Sequence, residues 1–293
     1  MSEPILGSEH TVDHGPIRLS VWEKCQGHPQ GQPVVVLAHG SSAGGRECFD
    51  LQAPGLDDLS FMDALARQGF DVFAADMRGF GRSTRPEVHL STEEASADLA
   101  AVVAHICALR GVAQVNLVAW SWGTQYGGQF VMAHPERVAR YVSYAQMHLD
   151  SPDLKLRRER LAIFQRSPYL RVAEGGWTLR FHSLTPPEVN DPAVLDAFAT
   201  AASAVQDRTP TGAQVDLLTR LPLVEPTRIP VPTLMVHGQY DDVADLPGLW
   251  PFFAALPNPD KQYTVVPGGG HMLHLQAGRR RLHQVVGDFL RLA

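Results

Sequence analysis

The chain has 293 residues, of which 44% are hydrophobic and 19% charged, and its net charge is −6 at pH 7. These values are typical of a globular protein that can build one large α/β domain, with or without an insertion. They exclude a basic surplus of the kind that binds nucleic acid or an anionic membrane, so we expect neither as a partner. Three cysteines without a CxxC pair indicate neither a disulfide framework nor a zinc site. The sequence contains neither a signal-peptide pattern nor a membrane-spanning apolar run, which predicts a cytoplasmic protein.

The first half of the chain alternates short apolar runs with helical patterns. The predicted strands lie at residues 17–24, 33–40, 70–77, 113–120 and 137–146. A long helix is predicted between the third and fourth of these, because Ser91 and Glu94 form a capping-box pattern and Gly111 supplies a stop. Strands that alternate with helices favour a mostly parallel sheet with helices on both faces.

The pattern changes after residue 146. Residues 147–229 are helical and irregular, contain eight prolines and show no pattern of a buried strand. Strands are predicted again at 231–238 and 261–268, followed by a helix at 279–290. We therefore predict an α/β core made of residues 1–146 and 230–293, with 147–229 as a helical cap. The cap aromatics line a pocket or form a small core of the cap; they are Phe164, Tyr169, Trp177, Phe181 and Phe198.

Two short basic clusters stand out in this otherwise acidic chain. They are RRER at residues 157–160 and GRRRLH at residues 278–283. Both lie within helical patterns. We interpret both as solvated helix faces, since charge runs usually face water.

Polar residues follow three of the predicted strands. Ser121 follows the strand at 113–120, Asp241 and Asp242 follow the strand at 231–238, and His271 follows the last strand. The carboxyl ends of parallel strands meet at one edge of a sheet, so we expect these side chains to converge. A serine hydroxyl becomes nucleophilic when a histidine accepts its proton, and an acid orients that histidine. The order predicts a Ser-Asp-His triad.

Five motifs then resemble one known family. They are HG at 39–40, DMRGFGRS at 76–83, AWSWG at 119–123, GQYD at 238–241 and GGHMLHLQ at 269–276. In order and spacing they resemble the α/β-hydrolase fold family, within its capped esterase, C–C hydrolase and haloperoxidase-like group. The small-x-Ser-x-Gly nucleophile elbow is matched with alanine in place of the first glycine. The resemblance implies an eight-stranded, mostly parallel sheet with a helical cap inserted after strand six.

The same resemblance assigns the catalytic roles. It implies Ser121 as nucleophile, Asp241 as acid and His271 as general base. It also implies that the backbone N–H groups of Ser41 and Trp122 form the oxyanion hole. No metal and no cofactor are implied.

Alternatives exist at two positions of this triad. His274 is the competitor of His271, and Asp242 and Asp150 are the competitors of Asp241. His39 is expected to shape the oxyanion loop rather than transfer protons.

Two tryptophans flank the nucleophile. We expect Trp120 and Trp122 to contribute to substrate binding, with an apolar acyl or aryl group as the part recognised. The partner is then a small molecule, and a homo-oligomer is possible.

The predicted activity is cleavage of an ester-like acyl bond. A C–C hydrolase, lactonase, amidase or acyltransferase would use the same triad, and a ligand-sensing non-enzyme could share the fold. A prolyl-aminopeptidase-like enzyme is disfavoured because HGSSAGG at 39–45 lacks the His-Gly-Gly-Pro-Gly motif. An aspartate at the elbow would mark an epoxide hydrolase or dehalogenase, and this chain has serine there.

Overall fold

The computed structural model describes residues 3–182 and 185–292. Its ten strands are β1 (Ile5–His14), β2 (Ile17–Gln26), β3 (Val34–Ala38), β4 (Asp71–Ala75), β5 (Val115–Trp120), β6 (Val138–Tyr144), β7 (Tyr169–Arg171), β8 (Arg208–Pro210), β9 (Thr233–Gly238) and β10 (Lys261–Val266). Eight of them form one sheet in the order β1-β2-β4-β3-β5-β6-β9-β10. The first two pairings in that order are antiparallel and the other five are parallel. The predicted fold class is confirmed.

Eleven helices are described along the chain. They are α1 (Gly45–Phe49), α2 (Phe61–Ala66), α3 (Thr92–Arg110), α4 (Gly123–Ala133), α5 (Pro152–Arg158), α6 (Leu161–Arg166), α7 (Leu179–His182), α8 (Pro192–Val205), α9 (Gly212–Thr219), α10 (Trp250–Ala255) and α11 (Arg279–Arg291). The predicted capping box of Ser91 and Glu94 opens α3, and Gly111 closes it in the left-handed conformation. Within the described residues, no helix is long and apolar enough to cross a membrane.

Two apolar layers cover the two faces of the sheet. Successive residues of β3 point to opposite faces, so Val36 belongs to one layer while Val35 and Leu37 belong to the other. β3, β4 and β5 are buried along their whole length, as expected for central strands with helices on both sides. The sheet is therefore rigid at its centre, where β5 delivers Ser121.

The outer strand β1 was not among the predicted strands. Most of its residues are exposed or partly exposed, and it lies at the edge of the sheet beside β2. An exposed edge strand carries no continuous apolar run, so the sequence gives it no clear hydrophobic pattern.

The segment from 147 to 229 lies between β6 and β9 in the chain and contains helices α5 to α9. It also holds the short antiparallel pair β7–β8, which is only partly buried and was not among the predicted strands. Three-residue strands are too short to show a period of two. Phe181 and Phe198 pack edge to face with ring centroids 5.5 Å apart and are fully buried. The separation of core and cap into domains stays a prediction.

Candidate active site

Ser121 lies in the tight turn between β5 and α4. Its φ is 58°, in the left-handed region that non-glycine residues seldom adopt. Its N–H donates to the Tyr144 carbonyl (3.0 Å), and its carbonyl accepts from the Thr124 N–H (2.8 Å). These bonds to the next strand and to the first turn of the helix hold the strained residue in place.

Small neighbours make this turn possible. A Cβ on Gly123 would lie 2.4 Å from the Ala38 carbonyl oxygen, and one on Gly40 would lie 3.1 Å from the Ser121 Cβ. On the other side, a Cβ on Gly127 would lie 3.0 Å from the Ala119 Cβ. Ala119 is thus accommodated where the family motif has glycine, because the helix facing it is itself small at that point.

His271 connects the serine to an acid. The Ser121 hydroxyl lies 2.7 Å from His271 Nε2, and His271 Nδ1 lies 2.9 Å from Asp241 Oδ1. The three side chains come from loops after β5, β9 and β10, and each residue is at most 6% exposed. The sheet topology therefore brings the predicted Ser121, Asp241 and His271 together in one hydrogen-bonded line.

The carboxylate of Asp241 is stabilised in its charged form. Burial by itself would raise its pKa, but the His271 ring and its hydrogen bond outweigh burial and hold the pKa below its usual value. The N–H groups of Val243 and Ala244 also donate to Asp241 Oδ1, each at 3.1 Å. A fixed negative charge at Nδ1 of the imidazole favours the tautomer whose Nε2 can accept the serine proton.

Two of the competing residues, His274 and Asp150, lie elsewhere. His274 is fully buried, is bonded to the Tyr144 hydroxyl (2.9 Å), and has its pKa lowered to about 3 by burial. Asp150 forms an exposed ion pair with Arg158. Neither residue belongs to the line through Ser121.

The loop after β3 lies beside the serine. Here the Met77 N–H donates to His39 Nε2 (3.0 Å), and the opposite ring nitrogen lies 2.6 Å from the Gly40 carbonyl. His39 therefore fixes the loop, as expected, and burial lowers its pKa to about 4. Within the described chain, the backbone N–H groups of Ser41 and Trp122 have no protein acceptor. Their role as an oxyanion hole stays a prediction.

The comparisons with known proteins concern the family and the fold of the chain. A family model described as serine aminopeptidase, S33, matches residues 58–277. The chain belongs to this family of α/β-hydrolases. A proline iminopeptidase of Xylella fastidiosa is 25% identical over 85% of this hydrolase and 86% of its own length. An epoxide hydrolase A of Mycobacterium tuberculosis is 32% identical over 45% of the hydrolase and 36% of its own length. Among solved structures, a thermophilic esterase from Thermogutta terrifontis superposes with a TM-score of 0.71, at 21% identity and 98% coverage of both chains.

The indole N–H groups of both tryptophans of the hydrolase donate hydrogen bonds within the protein. Trp120 is 1% exposed, and its indole N–H donates to the His271 carbonyl (3.0 Å). Trp122 is fully buried, and its indole N–H donates to the Thr92 hydroxyl (3.2 Å). Trp120 thus braces the loop that carries the general base candidate. Their expected contact with substrate stays a prediction.

The cap of the hydrolase approaches the serine through residues that the sequence motifs did not single out. The Met147 sulfur lies 3.8 Å from the Ser121 hydroxyl. Gln214 donates to the Ser41 hydroxyl (3.0 Å), and Gln206 donates to the Ser42 carbonyl (3.1 Å). Glutamine and methionine occur throughout protein cores, so no sequence signal marks these three positions.

The interpretation of the basic clusters as solvated faces is wrong in part. The Arg157 side chain is only 11% exposed and lines a cavity together with Ser41, whereas Arg160, which lines the same cavity, is exposed. In the second cluster His283 is buried and stacks on Phe61. The first cluster runs from the end of α5 into the turn before α6, and the second begins α11. In each cluster one part faces water while another faces the protein.

No metal centre is found in the described part of this hydrolase, where no three His, Cys, Asp or Glu side chains are grouped to hold an ion.

Proposed function

We propose that this chain is a serine hydrolase that cleaves an ester-like acyl bond of a small, partly apolar molecule through an acyl-enzyme. The observation that carries the proposal is the continuous line from the Ser121 hydroxyl through His271 to Asp241, with heavy-atom distances of 2.7 and 2.9 Å. Distances in this range allow proton transfer without rearrangement.

Acylation begins when His271 Nε2 accepts the Ser121 proton and the serine oxygen attacks the acyl carbonyl. The charge that develops on the carbonyl oxygen is stabilised by the N–H groups of Ser41 and Trp122. Asp241 stabilises the imidazolium that forms at His271. Collapse of the tetrahedral intermediate expels the alcohol, which takes its proton from His271 Nε2.

Deacylation repeats these steps with water as the nucleophile. His271 removes a proton from water, the hydroxide attacks the acyl carbonyl, and the Ser121 oxygen leaves with the proton from His271. The carboxylic acid product is released. Burial of the three side chains supports this scheme, because hydrogen bonds to developing charge are stronger where water is excluded.

The test uses p-nitrophenyl esters from acetate to decanoate with the native chain, Ser121→Ala and a matched control. Ser143→Ala is that control, since Ser143 is a buried serine on the neighbouring strand β6. We expect Ser121→Ala to lower kcat by about a thousandfold or more. Ser143→Ala should retain turnover, and a fluorophosphonate probe should label Ser121 only. The chain-length optimum sizes the acyl pocket.

Near-normal turnover by Ser121→Ala would overturn the proposal. If the probe labels Ser121 but none of these esters is hydrolysed, the serine is activated and the substrate belongs to another acyl class. Absence of both would favour a ligand-binding protein of this fold.

Amide hydrolysis is the second candidate, because the matched family and one relative are named for aminopeptidase activity. Such a substrate carries a cationic amine, which an acidic pocket would bind. The cavity that includes Ser41 is lined by three arginines and, in its described lining, by no carboxylate. We therefore expect prolyl p-nitroanilide to be cleaved far more slowly than the best ester. The opposite order would reverse the ranking.

A further inference from the structure

One cavity joins the loop after β3 to the cap. Its volume is about 260 Å³, just below the range of roughly 300–1,000 Å³ of most ligand sites. Ser41 and Ser42 form its side toward the core, while Phe164, Leu170 and Trp177 provide apolar walls. Ser41 is also the predicted oxyanion residue, so this cavity borders the candidate active site through the loop after β3.

The charges around this cavity are positive. Arg157, Arg160 and Arg171 line it. Arg157 lies against Asp153, and Arg171 pairs with Asp207 at 3.2 Å.

Arg160 differs from the other two arginines. Within the described residues, no carboxylate lies within ion-pair distance of its guanidinium, whose Cζ lies 5.7 Å from the centre of the Phe164 ring. A cation beside an apolar wall and without an anionic partner is suited to bind an anion supplied by a ligand.

A polar connection runs from this cavity to the oxyanion loop. Arg157 donates to the Gln214 side-chain oxygen (3.0 Å), and Gln214 donates through its nitrogen to the Ser41 hydroxyl (3.0 Å). The amide of Gln214 is therefore fixed in one orientation by a partner at each end. Positive charge on the cap and the predicted oxyanion donor are held in one network.

We propose that this cavity binds a carboxylate group of the substrate and that Arg160 is the residue that selects it. The substrate class is an ester with a free carboxylate on a short apolar linker. The linker packs against Phe164 and Trp177, and the carboxylate accepts hydrogen bonds from the Arg160 guanidinium. This inference rests on the proposed serine hydrolase function and specifies its substrate.

Two matched ester pairs test it, one with the charge on the acyl side and one with it on the leaving group. The first pair is mono-p-nitrophenyl adipate and its neutral methyl ester. The second is 4-acetoxybenzoate and methyl 4-acetoxybenzoate. The readout is the ratio of kcat/KM for the anionic and neutral member of each pair, after subtraction of spontaneous hydrolysis.

In at least one pair, the native chain should have the higher kcat/KM for the anionic ester. Arg160→Gln should lower the ratio of anionic to neutral kcat/KM by about 10- to 100-fold, as expected for loss of a hydrogen bond to a charged group. Arg160→Lys should retain part of the preference. The control is Arg158→Gln, because Arg158 lies two residues away, pairs with Asp150 and borders a different cavity. It should leave both ratios unchanged.

Equilibrium binding to Ser121→Ala separates this inference from the proposed function. Titration calorimetry should show tighter binding of the anionic than the neutral ester, and Arg160→Gln should abolish that difference. Hydrolysis of both members at equal rates keeps the serine hydrolase and overturns the carboxylate site. Arg160-dependent binding to Ser121→Ala, together with neither ester hydrolysis nor fluorophosphonate labelling of the native chain, keeps the site and overturns the hydrolase. If the anionic ester is preferred neither in turnover by the native chain nor in binding to Ser121→Ala, the carboxylate site is overturned.

Discussion

The two sides of the candidate site are built in different ways. On the core side, Ser121, Asp241 and His271 each follow a strand of one sheet and are at most 6% exposed. On the cap side, α5, α6 and the β7–β8 pair present arginines and aromatic rings around a cavity. Cap residues such as Leu156 and Leu179 are 69% and 65% exposed. The residues of the proposed reaction thus lie in the buried part of the molecule, and the residues proposed to select the substrate lie in the more exposed part.

This difference indicates which parts of the site can change without loss of the proposed proton transfer. A shift of one strand end would break the hydrogen bonds at His271 and with them the proposed proton transfer. A change of cap side chains alters the walls of the cavity without moving the serine. With such a division, the substrate can vary while the reaction stays the same.

The largest expected effect on the core side comes from Asp241→Asn. The amide lacks the negative charge that stabilises the His271 imidazolium and permits the wrong ring tautomer. We expect kcat to fall by about a thousand- to ten-thousandfold, with a smaller change in KM. The measurement is steady-state hydrolysis of the best p-nitrophenyl ester, with a circular dichroism spectrum as a check of folding.

Asp242→Asn is the matched control, because it makes the same chemical change one residue along the loop. It should change kcat by less than about tenfold, which corresponds to 1.4 kcal/mol. If Asp242→Asn were the more damaging of the two, the acid would be misassigned.

Gln206→Leu tests the connection between the two sides. Gln206 comes from the end of α8, is 2% exposed, accepts from the Gly81 N–H (2.8 Å) and donates to the Ser42 carbonyl (3.1 Å). Leucine leaves both backbone groups without that partner, which costs about 1–3 kcal/mol. Part of that cost should appear as a fall in kcat of about tenfold, because the oxyanion loop loses its support.

An exposed glutamine of the cap controls for the loss of an amide as such. Gln165 lies on α6 and is exposed. Gln165→Leu should leave kcat and the urea midpoint unchanged. If Gln206→Leu lowers the urea midpoint but keeps the native kcat, Gln206 has a structural role only. The two sides of the site would then be independent of each other.

The sequence predicts the core side well and the cap side poorly, for a physical reason. Ser121, Asp241 and His271 follow apolar strand runs, and the strand ends of a parallel sheet meet at one edge whatever the connecting segments are. Arg160, in the turn between α5 and α6, and Gln214, on α9, line a cavity with Ser41 only through the packing of these segments on the core. Such contacts join distant parts of the chain and leave no local pattern. The cluster RRER was visible, but its periodicity could not show that Arg157 turns inward.

Acid conditions should affect the core in particular, since it holds four deeply buried histidines. Burial lowers the pKa of His39 and His237 to about 4 and that of His274 and His283 to about 3. In the unfolded chain a histidine titrates near 6.5. Between these values the unfolded chain binds protons that the folded chain does not, so the free energy of unfolding falls as the pH falls below about 6.5.

The smallest expected effect is that of one such histidine, His283 on α11. The His283 ring stacks on Phe61 at 4.9 Å, and its Nε2 has no partner within the described chain. His283→Phe keeps the stacking and removes one titrating group, so the loss of unfolding free energy between pH 7.5 and pH 5 should shrink by about 1–2 kcal/mol. Urea denaturation at the two pH values measures this, with His134→Phe as control because the His134 side chain is 48% exposed. If both variants kept the full pH dependence, the acid sensitivity would have to arise outside this part of the core. If the control alone reduced it, burial would not be its cause.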